Sequence, residues 1–331
     1  MRNVLTTAWA IIKDNLSSKV TLFFVIFFPL FLTLIFALGF GAAAQPHATV
    51  MVYGDPSLAN FLSHSIMFTG VTGSDEREAL LHNYVFVNVS GNKITIFYPQ
   101  QDNYLIPSLE ALIQEYKLDV SPISFQTSPE QGTTYYDYVI SGMIGVVALS
   151  NGIFGVTGVA AGYYRDRLVD RLAVSPLKSY EWVLGLIIYE IVITMISIVP
   201  ILLLGLAFGF LPLISLSFLA FLAISTLTFA GLGAVIFGLS PKDKIFVAQT
   251  VANILVFPLM FLSNAFFNLN AFPPILQPIV AYQPLSIIND VIRDLTVYDT
   301  LPSVFDVIYI AVLTIAFVYA GGRLMRLREA D

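Results

Sequence analysis

The sequence predicts an all-α polytopic membrane protein with six transmembrane helices, an N-terminal amphipathic helix, and a small α/β extracytoplasmic domain between the first and second spans. Three observations carry this. Hydrophobic residues make up 57% of the 331 residues and the mean hydropathy is +0.80, far above a soluble domain. Six long apolar runs recur along the chain, and the one extended polar stretch, 43–135, carries alternating strand patterns instead.

Residues 1–19 read as an amphipathic helix lying on the cytoplasmic membrane surface. Leu5, Ala8, Trp9, Ile12 and Leu16 form an apolar stripe, with Arg2, Asn3, Thr6, Lys13, Asp14 and Ser17 off it. The run Val20–Ala42 then offers 23 uncharged residues, enough for ~30 Å of hydrocarbon. Ala42-Ala43-Ala44 looks like a signal-peptidase site, but the run exceeds the usual signal core and reads as an uncleaved first span, 20–42.

Within the module 43–135, Thr49–Tyr53 reads as a strand, and Tyr84–Tyr98 as two strands around a Gly91-Asn92 turn. Leu105, Leu109, Leu112, Ile113 and Tyr116 mark a helix near Pro107. His47, His64 and His82 lie 17 and 18 residues apart, which matches no metal signature, so no metal site is expected. Asn88-Val89-Ser90 has the form of a glycosylation acceptor.

The domain 136–331 supplies five further apolar runs, at about 138–162, 182–210, 214–238, 245–267 and 304–322. The first of these holds Gly152, Gly155, Gly158 and Gly162 at helical spacing. Close packing of a second helix is the first reading, and the lining of a transport path the second. Glu190 lies some two turns inside the next run. An intramembrane acid costs roughly 2.5–3.5 kcal/mol at the bilayer centre, so it normally faces a partner or a water-filled cavity; snorkelling to the nearby surface, or a neutral state, is the alternative reading for Glu190. Between the fifth and sixth spans, Pro258, Pro273, Pro274, Pro278 and Pro284 break the apolar stretch from Pro258 to Leu295 into pieces that read as re-entrant or interfacial half-helices, about 263–295; a structural lid is one reading of them and an outer gate the other.

The stretch Tyr163–Trp182 is the densest charged island: Arg165, Arg167, Arg171 and Lys178 stand against Asp166, Asp170 and Glu181. As a helix it gathers Leu168, Val169 and Leu172 on one stripe, and Ser175-Pro176 ends it. Such an element suits a surface on which a soluble partner pushes; a solvated loop that only sets topology is the alternative. With the N-terminus inside and six spans, 12 of the 16 bases fall on the inner side: Arg2, Lys13, Lys19, the four of the island, Lys242, Lys244, Arg323, Arg326 and Arg328. Only Arg77, Lys93, Lys117 and Arg293 fall outside, so the positive-inside tendency makes both termini cytoplasmic.

Catalytic motifs are missing. There is no G-x-x-x-x-G-K-[ST], HExxH, CxxC or G-x-S-x-G, and no cysteine, so no catalytic residue is named. Glu190, Gln249 and Asn253 are too sparse for a proton relay, which disfavours an ion-coupled carrier.

The order of parts resembles the type-2 permeases of ATP-binding-cassette exporters. Asp170-Arg171-Leu172-Ala173-Val174-Ser175-Pro176-Leu177, followed by Glu181–Gly185, is similar to the family's acid-Arg-Leu-x-x-Ser/Thr-Pro stretch before its third span. Phe261-Leu262-Ser263-Asn264-Ala265-Phe266-Phe267, then Pro273, Pro284-Leu285 and Asp290–Arg293, is similar to its outer re-entrant pattern. Two departures stand out: many members have Gly-Thr where Arg167-Leu168 stand here, and Asn264 replaces a common glycine.

The resemblance implies an exporter's permease subunit in the plasma membrane, paired with a like or sister permease. Two cytoplasmic ATPase subunits would dock beneath it, binding ATP and Mg that this chain does not. It implies coupling to the ATPase through about 165–178, with Arg165, Arg167, Asp170, Arg171, Leu172, Ser175 and Pro176. It also implies a translocation path beside Gly155, Gly158, Gly162, Gln249 and Asn253, and an outer gate at Ser263, Asn264, Phe266 and Phe267. No nucleic-acid partner is expected. A membrane-anchored sensor or assembly scaffold is the rival reading.

Overall fold

The computed structural model describes residues 2–17, 19–41, 48–65, 67–82, 84–91, 93–99, 105–117, 124–130, 135–241 and 244–325. Ala42–Ala44, His47, Asn92, Lys242, Arg326 and Arg328, all used in the sequence reading, lie outside the described residues. The chain forms two compact units, one of residues 1–36 and 139–331, the other of residues 37–138.

The smaller unit is a five-stranded mixed sheet in the order β2-β1-β3-β4-β5, with β1 (Ala48–Tyr53), β2 (Phe68–Thr72), β3 (Val85–Ser90), β4 (Lys93–Pro99) and β5 (Ser124–Glu130). β3 and β4 pair antiparallel with Ser90 opposite Lys93, which leaves a two-residue turn, and Gly91 takes the left-handed φ of 62° that such a turn demands. The other neighbours are parallel. Alternation divides the side chains between the faces. Val85, Val87, Ile94 and Ile96 pack with Leu58 and Leu62 of α3 (Pro56–Leu62) and Leu109 and Ile113 of α5 (Ile106–Tyr116). Met51 and Phe86 meet Ala79 of α4 (Glu76–Leu81) on the opposite face. Periodicity missed α3, α4, β2 and β5. The two helices are one or two turns long and start at Asp55 and Asp75, whose carboxylates accept the first free backbone N–H groups.

In the larger unit, α1 (Arg2–Ser17) and α2 (Lys19–Gly41) precede the module. After it come α6 (Tyr135–Ser150), α7 (Val156–Arg165), α8 (Leu168–Ala173), α9 (Ser179–Ala207), α10 (Leu216–Leu239), α11 (Ile245–Phe261), α12 (Gln277–Tyr282), α13 (Pro284–Arg293) and α14 (Val304–Leu324). Four described helices are long and apolar enough to cross a membrane: Tyr136–Arg165, Ser179–Ala207, Leu216–Leu239 and Val304–Leu324. α2 and α11 are apolar too, with described apolar stretches at Pro29–Leu38 and Phe246–Phe261.

Several polar groups inside this unit pair with one another, as a medium without water favours. Thr228 on α10 and Thr314 on α14 share a hydrogen bond of 2.5 Å. The Asn151 side chain donates to Thr194 Oγ1 at 3.3 Å and Ser197 Oγ at 3.1 Å on α9.

Three expectations about local structure are corrected. The run 138–162 is not one regular helix: residues Asn151–Gly155 form a π-helical turn between α6 and α7, a widening typical of functional sites. The run 245–267 is helical only to Phe261, because the chain then turns to bury Ser263 and Asn264. The charged island is not a continuous helix from Tyr163. α7 ends at Arg165, Arg167 takes a left-handed backbone (φ 54°, ψ 24°), and α8 starts afresh at Leu168. That conformation costs an ordinary residue about 1–2 kcal/mol and glycine almost nothing. Arg167→Gly is therefore expected to stabilise the purified chain by about 0.5–1 kcal/mol, read as a higher midpoint of thermal unfolding. A lower midpoint would show that the arginine side chain contributes more than the backbone strain costs.

Candidate functional site

A cavity of about 660 Å³ opens between α1, α2, α6, α7, α9 and α11. Its walls are built from the glycine run, which the fold divides by role. Gly152 packs on Phe229 and Ala230 of α10, and a Cβ at Gly155 would overlap the Glu190 carboxyl group of α9. Gly158 and Gly162 meet nothing within 4 Å of a notional Cβ; they border open space. The first two glycines are thus packing positions, and the last two border the cavity. Gly155 does both, since it also borders the cavity.

Glu190 is 1% exposed and lines the same cavity. Among the described residues its Oε1 has no hydrogen-bond partner. Asn253 of α11 also lines the cavity, with Phe257 one turn along. Gln249 is exposed on α11 but does not border the cavity, so the structure separates it from the other four candidate path residues.

At one end of α7 the cavity wall runs directly into the charged turn. Arg165 and Asp166 pair at 2.9 Å, and this hydrogen bond holds the Asp166 carboxyl below its ordinary range. Both side chains are largely solvated, so the pair adds little to stability. α8 buries Val169 and packs Leu172 into a core with Trp182, Leu186 and Leu177. Arg165, Arg167, Asp170, Arg171 and Pro176 are exposed, together with Val174 at 88%. Leu172 and Ser175 belong to the support rather than the exposed face. The Ser175 hydroxyl donates to the Leu172 carbonyl at 2.6 Å and accepts from the Leu177 N–H at 3.2 Å, closing the end of α8.

α1 is fastened to this support. Glu181, in the first turn of α9, accepts from the Lys178 backbone N–H at 3.0 Å and from the Asn3 amide at 3.3 Å. Gly185 leaves room for Thr7 and Ala8 of α1 to lie against α9, and Ile11 is fully buried there.

The segment after α11 is pinned by a polar network. The Asn264 amide donates to Asp290 Oδ1 at 2.7 Å, Asn289 donates to Asn264 Oδ1 at 3.3 Å, and Arg293, 2% exposed, donates to the Asn264 carbonyl at 2.6 Å. Gln283 donates to the Leu262 carbonyl at 2.6 Å, satisfying a backbone group left free where α11 ends. On α6, Gly142 and Gly145 let Ala265 and Asn289 approach; a Cβ at either would overlap them. Ser263 and Phe266 are buried, and Phe266 stacks on Phe36 at 3.8 Å between ring centroids. Phe267 is half-buried beside Phe266. None of Ser263, Asn264, Phe266 and Phe267 borders the cavity.

A family model described as ABC-2 family transporter protein matches residues 19–322. The chain belongs to this family. It is a multi-pass membrane protein and the membrane component of an ABC transporter, and its family implies an ABC ATPase as partner. No curated protein matches the chain.

In this ABC-2 family chain, several residues of the site are not legible from motif or composition. Asn151 stands just before the glycine run and carries no motif signal; its pairing with Thr194 and Ser197 appears only when α9 is placed beside it. Arg293 counts in the sequence as an outer base, but the fold buries it. Gly142 and Gly145 extend the glycine spacing upstream, and that spacing is the signal that points to them.

Proposed function

We propose that this chain is the permease half of an ATP-driven exporter that moves its substrate outward by alternating access. One observation carries the reading: α7 bears the cavity glycines Gly158 and Gly162 and follows directly on Gly155 of the π-helical turn, and its end continues into the exposed charged turn at Arg165–Pro176. A push on α8 is thereby applied to a wall of the cavity through a single helix. The π-helical turn at Asn151–Gly155 is the place where that helix can change its winding, since such a turn holds an extra residue that regular helix does not.

In this reading α2, α6 with α7, α9, α10, α11 and α14 are six spans, and both termini and α8 face the cytoplasm. The module 43–135 stands outside, and the segment 263–295 closes the outer end as a gate. Two ATPase subunits, carrying ATP and Mg, engage α8 through Arg167, Asp170, Arg171, Val174 and Pro176. The fastening of α1 to Glu181 lets the N-terminal helix move with this surface. A second permease, identical or related, completes the transporter.

The test is a mild-detergent pull-down of the tagged full chain from its native membrane, with mass spectrometry and an ATPase assay of the eluate. A P-loop ATPase recovered in stoichiometric amount, with measurable turnover, is the expected result. Its repeated absence, with a partner of the module 43–135 recovered instead, would replace the exporter reading with that of a sensor or assembly scaffold.

A further inference from the structure

Among the described residues, the carboxyl group of Glu190 is fully enclosed by protein, lines the cavity, and has one oxygen without a hydrogen-bond donor. A buried acceptor left without a partner costs about 1–3 kcal/mol, more if charged, so such a group in a native interior calls for an occupant. Its neighbours do not supply one. Asn151, on the π turn that also carries Gly155, spends its N–H groups on Thr194 and Ser197. Gly155 gives way to the carboxyl group and offers no side chain. That oxygen is thus left unpaired by the protein, on a residue that lines the cavity.

We infer that this cavity binds an amphipathic organic monocation, with Glu190 as its counter-ion. The inference rests on the cavity being the translocation path and names the substrate class for it. Three features select that chemistry. A volume of about 660 Å³ falls in the range of small-molecule sites and exceeds what a bare ion needs. A metal ion is disfavoured by the donors present: no group of three His, Cys, Asp or Glu residues able to hold one occurs among the described residues. The rest of the wall includes Met143, Val146, Phe154, Ile193 and Phe257, an apolar and aromatic lining that suits the hydrocarbon body of the ligand and, at ring faces, its charge. The charged groups on the lining are Asp14, Arg165, Asp166 and Glu190. Arg165 is paired with Asp166, so the balance over the cavity is acidic.

The test uses a pair of probes alike in size and shape but opposite in charge, tetraphenylphosphonium and tetraphenylborate. Binding is measured to the purified full chain in nanodiscs, with empty nanodiscs subtracted, alongside Glu190→Gln and Gly158→Leu. The phosphonium is expected to bind at least about tenfold more tightly than the borate. Glu190→Gln, nearly isosteric, should remove that preference while leaving thermal unfolding within a few degrees. Gly158→Leu, placed where a side chain enters open cavity space, should weaken both probes. Equal affinity for the two probes, or a phosphonium affinity unchanged in Glu190→Gln, would overturn the inference. The transport reading fails separately, through the absence of an ATPase in the pull-down; Glu190-dependent phosphonium binding without such a partner would keep the site and discard the exporter.

Discussion

Arg293→Met is expected to lower the stability of the membrane unit by about 3 kcal/mol, roughly 6–12 °C in the unfolding midpoint. The guanidinium is 2% exposed and donates to the Asn264 carbonyl at 2.6 Å and to Asp290 Oδ1 at 3.3 Å. Methionine fills similar space but leaves that carbonyl with no charged donor, and a hydrogen bond to a charged group contributes about 1.5–3 kcal/mol. Asp290 is half-exposed and can turn to water, which keeps the loss at the lower end of what breaking a buried pair costs. The damage should be local, because Asn264, Asn289 and Arg293 hold the segment after α11 as one unit. Hydrogen exchange is expected to rise first over 262–293. Arg77→Ala, at an exposed position of the other unit, should change the midpoint by less than about 0.5 kcal/mol equivalent. A near-neutral Arg293→Met would mean that the segment is held by Phe266 and the α6 glycines alone.

The double reversal Arg167→Glu with Arg171→Glu is expected to cut ATP-driven transport at least about tenfold while leaving membrane insertion and thermal stability unchanged. Both side chains are exposed, Arg171 on α8 and Arg167 in the turn before it, outside the core that holds Val169 and Leu172, so nothing buried is disturbed. Glutamate in the left-handed position of Arg167 bears the same backbone strain as arginine. What changes is the sign of the surface that the proposed docking would offer to the ATPase. A reversed charge pattern against an unchanged partner costs association through repulsion, and that cost is screened by salt. Partial recovery of ATPase co-purification at higher ionic strength is therefore expected. Transport unaltered in the double variant would remove α8 from the coupling path.

How far the chain was legible depended on the range of the interactions involved. The apolar runs, the β3–β4 hairpin and the proline-broken segment after α11 are local signals, written in period, turn chemistry and missing donors. The strands β2 and β5 escaped because a parallel partner comes from far along the chain and leaves no hairpin signature. Arg167 is an instructive middle case. The family resemblance marked it as a departure from a Gly-Thr pattern; the backbone supplies a physical reason for glycine there, since the turn between α7 and α8 takes a positive φ.

By itself the sequence determined that this is a multi-span membrane chain with one polar α/β module, and where its charges concentrate. Those properties follow from composition and from residues near one another in the chain. The tertiary structure decided which glycines pack and which border space, that Glu190 meets a cavity, and that Arg293 is a buried strut of the network around Asn264. Each of those depends on which distant helix lies opposite, and helix partners in an apolar interior are chosen by side-chain shape and polar pairing across tens of residues of sequence.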